Sequence, residues 1–371
     1  MTRADDIRNR IVSIGKYEVA DEIHEGASAY VFRGRHVPLG EDVVLKVYDV
    51  DASSDAEDLY REARLLKRIS EESGCNNLVR VFDVERLSDD EVLMAMELVN
   101  GGSLLTQLTV RGPLALMDAV RVTKGIIRGT AELHARNLVH RDLKPANIML
   151  DAQQMTPKIG DFGSIAELNE DGLSVRTSRR SALYIPPECW EVPPRHGRSS
   201  DLYQIGMVLH ELVNGPLPST AEAQLDAEAH RRIRKAGGSK LADLDAFAAT
   251  QIVDNAIERR ARQRKLLTMV NWQPYIPNAL VRVIGKATAP KVTSRFSSSI
   301  DFLAALEKFE APNWRREGAV FTASNWRGCE WRVSEQRGGW LAERRKTADY
   351  RAWRTAEDST VLFDAILDVR V

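Results

Sequence analysis

The chain has 371 residues, of which 43% are apolar and 28% charged, with 52 Lys and Arg against 53 Asp and Glu. That length exceeds what one compact core fills and implies about two to three domains. The composition excludes a chain disordered throughout, a collagen-like repeat and a disulfide-stapled miniprotein, and a net charge of −1 excludes a global attraction to nucleic acid or an acidic membrane.

Three cysteines, Cys75, Cys189 and Cys329, lie far apart without metal-ligand spacing and fit a reducing compartment. The opening MTRADDIRNR has no apolar signal-like region, and no stretch approaches the ~20 apolar residues that span a bilayer. A cytoplasmic location without membrane contact is therefore expected. Residues 1–13 read as a polar N-terminal segment. Residues 17–48 alternate apolar and polar side chains and predict strands broken at Gly26, at Gly34 and near Pro38-Leu39-Gly40. Residues 55–72 place Leu59, Ala63, Leu66 and Ile69 on one helical stripe. Strand-like runs follow at 78–85 and 91–99. Beyond Gly101-Gly102 the texture turns helical, with long helices predicted over 115–136 and 201–214 and loops at Gly172, 186–194 and Gly197.

This pattern predicts an α+β fold of two lobes: a β-rich 14–98 with one main helix, and an α-helical 99–310. They meet at a seam near 97–102. Within the second lobe, 219–271 reads as a helical insert ending in the basic run ERRARQRK, 258–265; a solvated helix face is favoured there over a docking patch. From Ala311 the texture changes again, because five of the seven tryptophans fall in 311–371 beside 11 Lys and Arg and 9 Asp and Glu. A hairpin turned at Gly338-Gly339 and a closing helix starting near Asp358 or Ser359 predict a small α/β domain. Its Trp-Arg doublets suit base stacking, a partner-binding core or packing on the rest of the chain, and core or interface use is favoured over nucleic acid.

The chemistry concentrates in VHRDLKPANIML, 139–150, and in Asp161-Phe162-Gly163, which begins eleven residues after Leu150. Two long motifs in this order and at this separation resemble the eukaryotic-like (Hanks-type) serine/threonine protein kinases, over about residues 14–310. The resemblance implies a soluble bacterial kinase with a bilobal fold, using ATP and Mg²⁺ (with Mn²⁺ as a substitute) to phosphorylate protein hydroxyls. Moving a phosphoryl group requires screening of phosphate charge and in-line placement of the acceptor oxygen. Asp142 is expected to accept or orient the acceptor proton, Lys144 to neutralise the transferring group, and Asn147 and Asp161 to hold the metal through hard oxygen ligands.

The family's other landmarks map one by one. Lys46, closing VVLK, is expected to hold the α- and β-phosphates, and Glu62 on the following helix to pair with it. In the phosphate-covering loop, 24–31, only Gly26 of the three family glycines is present. His24 and Ala29 take the outer positions, a departure that bears on nucleotide affinity. Met96 is implied at the back of the adenine pocket, Glu97 and Val99 as backbone partners of the adenine edge, and Val31, Val44 and Met149 as apolar walls. Glu188, in Ile185-Pro186-Pro187-Glu188, is expected to pair with Arg295, and Asp201 to anchor the catalytic loop. Autophosphorylation is expected at Thr177 or Ser178, with Arg141 gripping the phosphate; Ser181 precedes the substrate-binding loop. The alternative is a scaffold of the same fold that binds a partner without turnover, for which the altered glycine loop is the one supporting feature.

Overall fold

The computed structural model describes residues 2–26, 29–49, 56–72, 74–174, 182–337, 339–347 and 353–359, and among these no helix is long and apolar enough to cross a membrane. In chain order the first part contains α1 (Arg3–Ser13), β1 (Tyr17–Gly26), β2 (Ala29–His36), β3 (Glu41–Asp49), α2 (Ala56–Glu72), β4 (Val81–Ser88) and β5 (Glu91–Glu97). The five strands form one antiparallel sheet in the order β1-β2-β3-β5-β4. Alternation along β3 sends Val43, Leu45 and Val47 to one face and Val44, Lys46 and Tyr48 to the other. The first face is not left to water. Ile7 and Ile11, one turn apart on α1, are fully buried against it with Phe32 and Leu93. The segment expected as a polar extension is thus a lid on the sheet. Thr2 and Asp5 cap it reciprocally, and Arg3 and Arg10 both bind Glu91 at the start of β5.

One expected strand break is corrected. β2 runs unbroken through Gly34, where a Cβ would stand 2.4 Å from the Glu18 carbonyl oxygen and 2.8 Å from the Leu45 side chain. The glycine permits close approach beside a register irregularity in β1, and does not end a strand.

The second part contains α3 (Leu104–Arg111), α4 (Leu116–Ala135), β6 (Leu138–Val139), β7 (Ile148–Leu150), β8 (Pro157–Ile159), β9 (Ala166–Glu167), α5 (Arg198–Asn214), α6 (Ala227–Lys235), α7 (Ala246–Arg262), α8 (Asn278–Ala287) and α9 (Ser299–Glu307). α5 is buried all round from Ser200 to Asn214 and forms the axis of this lobe. The insert α6–α7 has its own small core of Ala229, Ile233, Leu241, Ile252 and Ala256. Its basic run is partly consumed inside the fold: Arg259 binds Asp226 at 2.7 Å, Arg262 binds Glu258 at 2.9 Å, and Arg260 donates to the Ala223 carbonyl at 3.1 Å.

The last part is a five-stranded antiparallel meander, β10 (Asn313–Glu317), β11 (Val320–Trp326), β12 (Cys329–Gln336), β13 (Gly339–Lys346) and β14 (Arg354–Ser359). β12 and β13 pair as a hairpin in which Gly339, expected in the turn, opens β13 opposite Gln336, and Gly338 lies outside the described residues. Asp358 and Ser359 lie on a strand, and the expected closing helix falls in 360–371, outside the described residues, so what is described here is sheet alone. Trp314, Phe321, Ala323, Trp331, Val333 and Ala342 join the same core as α4, α5 and α8. Asn313 finishes the union. α4 begins after Ala115, which has no capping side chain, and the Asn313 Oδ1 accepts from the Met117 N–H at 2.8 Å. The outer face carries the pairs Glu330–Arg345 and Arg332–Glu343, with both guanidinium groups within 4.7 Å of the Trp353 ring centre.

Candidate active site

The loop after α4 and β6 is held from below by α5. The Asp201 carboxylate, fully buried, accepts from the backbone N–H groups of His140 at 3.0 Å and Arg141 at 2.9 Å, and meets His134 Nε2 at 2.8 Å. Burial alone would raise this carboxyl, but the bond and charge of His134 outweigh it and hold it below the ordinary range. One turn further along α5, Gln204 accepts from Leu143 N–H at 2.9 Å and donates to the carbonyls of Arg141 at 2.8 Å and Tyr184 at 3.2 Å. These bonds flank Asp142 and secure Arg141 at a left-handed φ of 68°.

Asp142 is buried with its two oxygens differently used. Oδ2 accepts from Lys144 Nζ at 2.8 Å and from Asn147 Nδ2 at 2.9 Å. Oδ1 has no hydrogen-bond partner among the described residues. Asn147 Nδ2 also donates to the Asp142 carbonyl at 2.8 Å, which leaves its amide oxygen out of the described hydrogen bonds. The Asn147 carbonyl accepts from Gly160 N–H at 2.9 Å and so ties this loop to the turn carrying Asp161. Asp161 itself is left-handed, at φ 54°. Its Oδ1 meets Lys46 Nζ at 2.5 Å across the cleft. Burial would raise the Asp161 carboxyl, but Lys46 first, with His140 and Lys144 adding, holds it below the ordinary carboxylate range. Lys46, Lys144, Asp142, Asn147 and Asp161 thus converge on one polar floor between the lobes.

Around it, Val31 pairs with Lys46 across β2–β3, and Val44 with Met96 across β3–β5. Met96 is buried, whereas Val44, Val99 and Met149 are partly exposed and pack against the main core. Glu97 gives its N–H to the Arg80 carbonyl at 2.8 Å and its carboxylate to Lys158 at 3.0 Å. Gly26 ends β1, while residues 27 and 28 lie outside the described residues. Glu62 lies on α2, and its side chain is outside the described part. Arg141 donates to the carbonyls of Ser164 at 2.5 Å and Ile165 at 3.5 Å, at the start of the segment that carries Thr177, Ser178 and Ser181, themselves outside the described residues. At the segment's far end Arg295 grips Glu188 with two bonds, at 2.7 and 2.6 Å.

Gln204 and His134 escaped the sequence reading. The signal available was the i, i+3 spacing of Asp201 and Gln204, two polar residues one turn apart on α5.

A bilobal fold with this polar floor defines a phosphotransferase cleft, and comparison with known proteins agrees. The protein kinase domain family matches residues 17–276. The chain is similar to the serine/threonine-protein kinase PknL of Mycobacterium tuberculosis, 28% identical over 81% of this chain and 68% of that protein. It is also similar to the serine/threonine-protein kinase PrkC of Bacillus subtilis, 26% identical over 79% of this chain and 40% of the relative. CBL-interacting serine/threonine-protein kinase 3 of Arabidopsis thaliana is 33% identical over 59% of this chain and 48% of its own length. The chain belongs to the protein kinase family.

Proposed function

We propose that the protein transfers the γ-phosphoryl group of ATP, with magnesium, to serine or threonine hydroxyls of proteins. The observation that carries this reading is the asymmetric use of Asp142. One oxygen is fixed by Lys144 and Asn147, and the other is shielded from water with no partner among the described residues. An incoming hydroxyl that donates there has its oxygen aimed and its proton received by a carboxylate, the positioning that phosphoryl transfer demands. Lys144, already within 2.8 Å of Asp142, is close enough to screen charge on the group in transit. Lys46 has Asp161 as its counter-ion here and is free to turn to phosphate oxygens, a longer-range exchange of one anion for another.

The donor set fits magnesium, which takes hard oxygen ligands. Asp161 is held ionised, and the Asn147 amide nitrogen is spent on Asp142, so that its oxygen is the atom left to offer. A bound magnesium ion would supply charge neutralisation of the phosphates. Met96, Val44, Val31, Val99 and Met149 would enclose the adenine, and Gly26 and Glu62 would complete the phosphate side. A scaffold without turnover is disfavoured by the joint presence of Lys46, Asp142, Asn147 and Asp161. Autophosphorylation within 164–184 belongs to the same reading, with Arg141 at the root of that segment and Thr177 or Ser178 as acceptors.

The test is incubation with labelled ATP and magnesium beside an Asp142→Asn variant, with myelin basic protein as a generic acceptor. Wild type should label the acceptor and lose about 10²–10⁴-fold in rate on substitution. Mass spectrometry of the same samples should find phosphate in 164–184 of the wild type only. Equal labelling by both proteins, or none by either, would defeat the proposal.

A further inference from the structure

The turn carrying Asp161 rests on a tyrosine that the proposed chemistry does not use. Tyr48 lies two residues beyond Lys46 on β3, so both side chains leave the same face of the sheet. The Lys46 ammonium stands 4.7 Å from the centre of the Tyr48 ring. The ring edge occupies the space above Gly163, where a Cβ would come within 2.6 Å of Cε1. The residue is 6% exposed, and its hydroxyl has no hydrogen-bond partner among the described residues.

A buried hydroxyl without a partner costs about 1–3 kcal/mol, a cost phenylalanine would avoid while filling the same space. Packing therefore explains the ring and not the oxygen. Asp161 is its neighbour, since its carboxylate holds the Lys46 ammonium that stands by the ring and its charge acts on the hydroxyl. Lys46 now occupies Asp161 at 2.5 Å. When Lys46 turns to phosphate, that oxygen loses its donor and the tyrosine is the adjacent replacement.

We propose that Tyr48 is a positioning residue for Asp161: in the nucleotide-loaded cleft its hydroxyl donates to the carboxylate and fixes which oxygen faces the metal. This rests on the reading that Asp161 holds magnesium, and the experiment separates the two. Wild type, Tyr48→Phe and Asp161→Asn are melted with a non-hydrolysable ATP analogue across a magnesium titration, alongside kcat across the same range. Tyr48→Phe should melt at or above the wild-type temperature without nucleotide. Its magnesium midpoint should rise about tenfold in both readouts, the weight of a hydrogen bond to a charged group. Asp161→Asn should lose the magnesium response. An unchanged midpoint in Tyr48→Phe, while Asp161→Asn has lost its response, overturns the tyrosine's role and leaves the metal reading standing. A lowered nucleotide-free melting temperature with an unchanged midpoint assigns Tyr48 to packing and overturns it likewise. A wild-type magnesium response in Asp161→Asn brings down both.

Discussion

Glu211 on α5 shows how one buried side chain links the substrate-side segment to pH. Its carboxylate accepts from the Tyr184 hydroxyl at 2.7 Å and from the Leu217 N–H at 2.8 Å. Burial outweighs both bonds and pushes its pKa from 4.5 up to about 7. A carboxyl whose folded pKa is raised contributes stability in full below its unfolded value, and that contribution is lost as pH rises through the folded one. Its neighbour His210, pushed down by burial to about 4 and standing edge-on to Trp272, works in the opposite direction and loses stability as pH falls. Comparison with Glu211→Gln cancels the histidine. Between pH 5 and pH 8 the wild type should lose about 2–3 kcal/mol relative to that variant, measured by denaturant unfolding of both proteins. Parallel pH profiles would show that Glu211 ionises normally. At this scale the residues aligned with the family motifs were legible, because phosphoryl chemistry demands particular groups at particular intervals. Gln204 and Tyr48 were not: a glutamine on a helix and a tyrosine on a strand read as surface and core until their neighbours are known.

Among the elements, α4 depends on a residue from far along the chain. Its own cap position is Ala115, and the missing acceptor is supplied by Asn313 of β10, which also approaches Asp118 at 3.4 Å. Asn313→Ala should therefore cost about 1 kcal/mol, read as a shift of the denaturation midpoint at constant slope. A shift indistinguishable from zero would mean that water replaces the amide. Periodicity made the strands of the first lobe, α2, α4 and α5 readable in advance. It misled at Gly34, because a glycine that ends a strand and one that lets two strands approach look alike in sequence. It was overlooked in α1, where the i, i+4 pair Ile7 and Ile11 sits among charges that conceal its single buried stripe.

For the whole molecule, the sheet β10–β14 is continuous with the helical lobe. Trp314 is fully buried, and Phe321 meets the Tyr275 ring at 5.8 Å. The tail beyond residue 310, for which packing on the rest of the chain is one of the uses the sequence allows, shares one core with the lobe. A chain ending at 310 should melt at least about 4 °C lower than the full chain, since losing a buried tryptophan alone costs about 3–5 kcal/mol. Equal melting temperatures would restore the tail to an independent domain. The same burial bears on its tryptophans: Trp314 and Trp331 are packing groups, and Arg332 and Arg345 are paired with glutamates, which lowers the standing of a base-stacking role.

The amino-acid order by itself determined the two-lobed architecture and the chemical class, since alternation and helical spacing are local and a phosphate-handling floor needs its acids, amide and lysines in motif order. Only tertiary structure decided what each exposed-looking stripe covers: that α1 roofs the sheet, that a distant asparagine caps α4, that the tail completes the lobe's core, and that Gln204 and Tyr48 stand against the catalytic turns. Those outcomes depend on contacts between residues tens to hundreds of positions apart, and a stripe of apolar side chains specifies that it will be buried without specifying its partner.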